Sequence, residues 1–421
     1  MKHLKKLLFA ALVIIFLFDT AFSQNQDRQR VRDLGITPGI LTPGPLNAIT
    51  DVEGVMVGHF TKIEGDSVRT GITAILPHSG NLYRQRVPAA VYVGNGFGKA
   101  LGFTQVRELG ELETPLALTN TLSIFDVAKG VADYVLNQEG NESVRSVNPV
   151  VGETNDGHLN DIRARLLTKD DVHAAIESAT TGPVAEGNLG AGTGTRALGF
   201  KAGIGTSSRQ LPESRGGFTV GVLVQSNFGG VLTIDGVPVG EELGNHFMAE
   251  EVPYGISSAD GVPDTRVGKS ATEYFQNRQT TLSGQSTDGY DFDVDGSIMI
   301  VVATDAPLTS RNLERLAKRA MMGVARTGGF ASNGSGDYVI AFSTHEAVRR
   351  QIDSGSYVVE NTELSNSAVS PLFLAVVEAT EEAILNSLFM SESMSGHDGR
   401  KMDAIPVEEV LDIMKEYNAV D

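Results

Sequence analysis

The sequence predicts a layered α/β fold, with sheets covered by helices, on three observations. Apolar residues recur at helical spacing in three separated segments. Runs of strand character lie between those segments, and one of them is apolar at every position, the pattern of a strand buried on both faces. Sheets and helices of this kind bury their apolar faces by stacking in layers.

The elements follow in chain order. Ile124, Val127, Ala128, Val131 and Val135 fall on one helical face, and Ser123 with Asp126 three residues on reads as the capping pair that starts the helix. Phe218, Val220, Val222 and Val224 alternate, which predicts a strand with one buried face and one small or exposed face. Ile298 to Ala303 is the continuously apolar run, hence a central strand. Leu313, Leu316, Ala320, Met321 and Val324 form a second helical stripe, and Tyr338 to Phe342 a further strand. A third helix opens at Ser370-Pro371 and runs through Leu372, Ala375, Val376, Ala379 and Ala383, with proline where a helix start tolerates it. From Asn277 to Gly296 the chain is polar and rich in Ser, Thr, Gly and Asp, then stops abruptly at Ser297; this reads as an exposed loop ending against the core.

The N-terminus is set apart. Lys2, Lys5 and Lys6 precede an apolar run from Leu7 to Phe18, and Ala21-Phe22-Ser23 gives a small-x-small cleavage pattern. The run is shorter than the roughly 20 apolar residues that span a bilayer, so residues 1–23 are expected to be a removed secretory leader, not a membrane anchor. The expected location is the periplasm. No Pro-rich or Ser-rich linker and no repeat of fixed period divides the remainder, so residues 24–421 are expected to form one domain. A net charge of −18 argues against nucleic acid and anionic membrane surfaces as partners. The chain has no cysteine, which removes disulfides, thiolate catalysis and Cys-based zinc sites together.

Several attractive motifs fail on their spacing. Asp291-x-Asp293-x-Asp295-Gly296 begins like a calcium loop, but the position that should carry a bidentate Glu is Val302. His345-Glu346 begins a zinc pattern whose second ligand position is Arg349. Gly98-Lys99 lacks the other parts of a phosphate loop, and Gly190-x-Gly192-x-Gly194 lacks the spacing and the acidic partner of a dinucleotide fingerprint; these glycines read as positions of close backbone packing or turns. The reading calls for no metal and no cofactor.

Four segments keep chemical interest. A serine after glycine at the head of a buried strand, Gly296-Ser297, can attack its own preceding carbonyl. Cleavage would leave Ser297 with an α-amine of ordinary pKa about 7.7–8.0, a general base for its own hydroxyl. The same Gly-Ser also fits a plain turn. Ser335 and Asp337, two apart before a strand, can share a face, or be solvated groups of a glycine-rich turn. Asn227 ends the alternating strand and is either an amide donor to an oxyanion or a turn residue. Glu153 is either a loop-surface carboxylate or the anion that receives a substrate ammonium.

Together these segments resemble the self-processing serine aminopeptidases, the group that includes L-aminopeptidase/D-esterase-amidases and β-peptidyl aminopeptidases. The likeness covers nearly all of residues 24–421. It takes in Asp33-Leu34-Gly35-Ile36, Gly54-Val55-x-Val57-Gly58-His59, Asn95-Gly96-Phe97-Gly98-Lys99 and Leu118-Thr119-Asn120-Thr121, and it is most specific over Asp295 to Leu308. The resemblance implies a four-layer αββα sandwich similar to N-terminal-nucleophile hydrolases. It also implies a precursor cut into an α chain (24–296) and a β chain (297–421), assembled as a homo-oligomer, with a tetramer favoured. By position it implies Ser297 as nucleophile and Asn227 as oxyanion donor, with Ser335 and Asp337 supporting the nucleophile and Glu153 holding the free amine of a small peptide or amino-acid amide. Position 337 is Asp here, where some β-peptide-cleaving members carry Glu. Two other classes stay open on the sequence: a conventional exported serine or metal hydrolase using His158, His246 or His345, and a non-catalytic exported amine-binding protein built around Glu153.

Overall fold

The computed structural model describes residues 28–249, 295–352, 355–358 and 360–420. The leader reading on residues 1–23, and the polar segment up to residue 294, lie outside the described residues.

Two sheets dominate. The smaller is built from β1 (Met56–Glu64), β2 (Val68–Leu76), β4 (Ala100–Leu101), β6 (Leu116–Asn120) and β7 (Val150–Thr154), in the order β1–β2–β6–β7–β4. The larger takes β3 (Gln85–Gly96), β10 (Ile204–Gln210), β11 (Thr219–Asn227), β12 (Ser297–Thr304), β13 (Gly336–Ser343) and β14 (Arg350–Gln351). Its order is β10–β11–β12–β13–β3–β14, with β5 (Glu111–Leu112) pairing β3. Two short pairs lie apart: β8 (Arg196–Ala197) with β9 (Phe200–Lys201), and β15 (Met394–Ser395) with β16 (Lys401–Met402).

Four helices build the outer layers. α1 (Ile124–Leu136) and α2 (Lys169–Glu177) cover the smaller sheet, and α3 (Ser310–Arg326) and α4 (Ser370–Phe389) cover the larger. Three cores result, one at each layer boundary. Leu313, Leu316, Leu372 and Val376 pack on Ile298, Ile300, Val302 and Val339 of the larger sheet. Leu223, Met299, Val301 and Ile340 of that sheet meet Val57, Ile75, Leu118 and Val150 of the smaller. Val127, Val131, Val172 and Ile176 close the far side on Ile72 and Ala117. The layering is αββα, and it explains the continuous apolar run: alternate residues of β12 enter different cores.

Two local expectations are corrected. Ser123 stands at the start of α1 but its side chain makes no cap bond; the carboxamide oxygen of Asn120 takes the N–H groups of Leu122 and Ser123 at 3.1 and 2.9 Å instead. Strand β11 has no exposed face, because it lies between helix and sheet layers; all nine residues are buried, Gly221, Leu223 and Gln225 included. Gly190, Gly192 and Gly194 each lie where a Cβ would strike a neighbouring strand or loop, which is the packing role read for them.

Pairing within the larger sheet sets the site. β12 runs antiparallel to β11 and parallel to β13, so Ser297 lies opposite Asn227 on one side and Gly336 on the other. A parallel pair needs a crossover, and α3 supplies it.

Candidate active site

Ser297 is the first residue of β12 and is buried. Its hydroxyl donates to the carbonyl oxygen of Gly296, the residue before it, at 2.6 Å. The backbone N–H of Gly336 approaches both atoms, at 3.1 Å from the Gly296 oxygen and 3.2 Å from Ser297 Oγ. A hydroxyl and the adjoining carbonyl are thus held together under one shared N–H donor. Gly296 is not in the left-handed region, so no backbone conformation there demands glycine. Its glycine answers to space: a Cβ there would collide with the carbonyl oxygen of Asn227 and lie 2.9 Å from Phe228 Cα.

Asn227 is the last residue of β11 and the direct cross-strand partner of Ser297, and directly opposed residues of an antiparallel pair share a face. Its carboxamide oxygen accepts the N–H of Arg196 at 3.2 Å. That bond fixes the amide with its NH₂ as the remaining donor.

Ser335 and Asp337 are each only 1% exposed, not solvated turn residues. Ser335 Oγ donates to Asp337 Oδ1 at 2.6 Å, and Oδ2 is buried with no hydrogen-bond partner among the described residues. Burial pushes the Asp337 carboxyl up to about 6, against the opposing pull of the Ser335 hydrogen bond. Strand alternation places Asp337 with Val339 and Ala341 on the α3/α4 side, and Ser297 with Met299 on the side between the sheets. No hydrogen bond joins either side chain to Ser297 in this uncut chain; the pair is bonded to itself.

The loop before β13 is pinned from two directions. Asn95 Nδ2 donates to the carbonyl oxygens of Ser332 (2.9 Å), Asn333 (3.2 Å) and Ser335. From the other side, Asp295 Oδ1 accepts from Ser332 Oγ at 3.0 Å and from the Gly334 N–H at 2.9 Å. Sequence reasoning gave neither Asn95 nor Asp295 a role, although both lie in the segments that carry the family likeness.

Glu153 is the penultimate residue of β7, and it is 2% exposed rather than on a surface loop. Its Oε1 accepts the Lys99 N–H at 2.8 Å and its Oε2 accepts from the Thr121 hydroxyl. Burial raises its pKa, while the bonds from Thr121 and Lys99 pull the other way. The Gly98-Lys99 segment therefore serves a carboxylate, not a phosphate. Tyr338 lies between the two ends of the site. A Cβ on Gly98 would fall 3.0 Å from its ring and 3.3 Å from Glu153 Oε1; a Cβ on Gly336 would fall 3.0 Å from the same ring and 3.1 Å from Ser297 Oγ. Sequence reasoning read Tyr338 only as a strand residue.

The histidines are elsewhere. His345 lies beyond Ser343, the end of β13 opposite Gly336 and about 23 Å from it at ~3.3 Å per strand residue, and its Nδ1 accepts the Ala347 N–H. His246 pairs with the carbonyl of Phe247 and His158 with that of Lys401. Among the described residues no group of three His, Cys, Asp or Glu could hold a metal ion.

The fold has solved counterparts. The L-aminopeptidase D-Ala-esterase/amidase of Ochrobactrum anthropi, described as a prototype for the serine aminopeptidases and a variant of the Ntn hydrolase fold, matches with a TM-score of 0.76 at 33% identity, covering 93% of this chain and 99% of that one. The class is a serine aminopeptidase with an Ntn-hydrolase-type fold. The profile of peptidase family S58 matches residues 47–402. The beta-peptidyl aminopeptidases BapA of Sphingosinicella microcystinivorans and Sphingosinicella xenopeptidilytica are 38% and 40% identical over 398 and 397 residues, 92% of this chain in each case and 92% and 91% of theirs. The chain belongs to peptidase family S58. Membership sets aside the non-catalytic amine-binding protein.

Proposed function

We propose that the chain cuts its own Gly296–Ser297 link and then removes N-terminal residues from peptides, using Ser297 as nucleophile and its freed α-amine as base. The observation that carries this is the Ser297 hydroxyl 2.6 Å from the Gly296 carbonyl oxygen, with the Gly336 N–H on both. In the first step Ser297 Oγ bonds to the Gly296 carbonyl carbon, the C–N bond breaks, and the hydroxyl proton ends on the departing Ser297 nitrogen. Water then splits the ester, giving its OH to the Gly296 carboxyl and its H to Ser297 Oγ. Residues 24–296 and 297–421 become two chains.

In the cut enzyme the α-amine takes the hydroxyl proton as Oγ attacks the substrate carbonyl. The Gly336 N–H and the Asn227 NH₂ are the donors for the resulting oxyanion, an effect worth a few kcal/mol per donor. The protonated α-amine returns its proton to the leaving amine, and water resolves the acyl-enzyme. The Ser335–Asp337 pair supports the new amine, a role suited to the unpartnered Oδ2 of Asp337. Glu153 receives the substrate ammonium, which restricts cleavage to the bond after the first residue. The names of the curated relatives favour substrates with an N-terminal β-amino residue over L- or D-residues. Export on the leader 1–23 to the periplasm and assembly as a homo-oligomer of two-chain units complete the proposal; the basic and apolar pattern of the leader and the family likeness support them.

Denaturing mass analysis of the purified protein tests the mechanism. Two chains meeting at 296/297 are expected, with Ser297→Ala giving one inactive chain and chelators leaving wild-type activity intact; a single uncut chain with full activity would overturn it. A panel of p-nitroanilides of L-, D- and β-amino acids tests the substrate, and turnover confined to L- or D-residues would refute the β preference.

A further inference from the structure

We infer that Asp295 is a positioning residue for the self-cleavage, a clip that holds the segment before the scissile link against the Ser332–Gly334 turn. This rests on the self-cleavage reading above. Asp295 precedes the scissile link by one residue, and its Oδ1 accepts both the Ser332 hydroxyl and the Gly334 N–H, at 3.0 and 2.9 Å. Two residues beyond Gly334 comes Gly336, whose N–H reaches the scissile carbonyl at 3.1 Å and the attacking oxygen at 3.2 Å.

The same loop therefore grips the reacting peptide twice, once at the side chain upstream and once at the carbonyl. Only Gly296 separates the two grips, and its Cα has no room to move toward Asn227. A glycine alone would leave the carbonyl free to rotate away from the hydroxyl. With Asp295 clipped, the peptide plane is held from both sides, and the attack gains the rate advantage of a fixed near-attack geometry. Asn95 braces the loop from behind, so the clip closes on a fixed support. The Asp295 carboxylate packs directly on Gly334, where a Cβ would collide with it.

What the clip requires is an acceptor oxygen at this position, and a negative charge is not needed. The test follows the half-time of cleavage of newly synthesised full-length protein by denaturing mass spectrometry. Asp295→Ala is expected to lengthen it at least about tenfold, as losing two hydrogen bonds at the reacting peptide implies. Asp295→Asn, whose amide oxygen accepts the same two bonds, is expected within about threefold of wild type. Ser332→Ala, which removes one bond from the loop side, should fall between. Rescue by Asn separates positioning from bulk destabilisation, which a merely structural acid would not show. Cleavage of Asp295→Ala at the wild-type rate, or of Asp295→Asn as slowly as Asp295→Ala, would overturn the inference. A wild-type chain that stays whole while active would instead defeat the self-cleavage reading, so the two failures are told apart.

Discussion

Changing Glu153 to Gln tests the ammonium site while keeping its shape. The carboxylate is 2% exposed, so a substrate ammonium that pairs with it leaves water to do so. Removing one member of such a buried pair costs about 3–5 kcal/mol. Gln retains an oxygen to accept the Lys99 N–H, now at 2.8 Å, so the low end applies. About 3 kcal/mol corresponds to a fall on the order of 100-fold in kcat/KM. The ammonium is held alike before and during bond breaking, so the loss should enter mainly through KM. Steady-state kinetics on a β-amino acid p-nitroanilide measures it, and mass analysis of the same sample should still show two chains, since Glu153 makes no contact with the Gly296–Ser297 link. Burial raises the Glu153 carboxyl above its ordinary value, so wild-type kcat/KM should fall as the pH drops through that raised value, and the fall should vanish in Glu153→Gln. A variant within threefold of wild type, with the same acid limb, would refute the assignment.

Two further outcomes follow from the same geometry. Burial holds the Asp337 carboxyl at about 6 against an ordinary 3.8, so folding favours its protonated form. That stabilisation is complete below the ordinary value and is lost as the pH rises through about 6, at a cost of roughly 3 kcal/mol. In the uncut Ser297→Ala background, the unfolding midpoint should therefore drop more between pH 5 and pH 7.5 (about those values) with Asp337 than with Asp337→Asn; parallel curves would refute this. Gly296→Ala drives a methyl into the Asn227 backbone, and overpacking of about 1–3 kcal/mol at the reacting peptide should slow cleavage by roughly 5- to 150-fold. Cleavage at the wild-type rate, read by denaturing electrophoresis over time, would show that the peptide is held otherwise.

The layers were readable where burial leaves a periodic mark. The stripes of α1, α3 and α4 and the unbroken run of β12 specify their elements, because each depends on residues a few positions apart. β11 shows the limit. Its valines announce one buried face, but Leu223 and Gln225 are buried only because a second sheet lies over them, and Gly221 because the Ile49 backbone does; no local pattern records either cover. The site was less legible for the same reason. Glu153 reads as a surface acid until Lys99 and Thr121, remote in sequence, fold over it. Gly296 reads as a turn glycine, whereas the constraint comes from Asn227 across the sheet. Asp295 and Asn95 act on a loop from another strand, a relation that only the pairing of β12 and β3 with β13 creates. Ser335 and Asp337 were the local exception: their spacing alone brought hydroxyl and carboxylate together.

The order of the larger sheet bears on how the protein could be recovered after denaturation. Strands β12 and β13 lie between β11 and β3, which both precede residue 296 in sequence. A cut at 296/297 would thus leave one product's strands hemmed in by the other's, with no seam along which they could part. The uncut chain refolds as a unimolecular event. The cut pair, once unfolded and dispersed, would have to meet again, so recovery would become second order and dilution would suppress it. Such a cut would turn a chain able to refold alone into a pair whose survival rests on never opening.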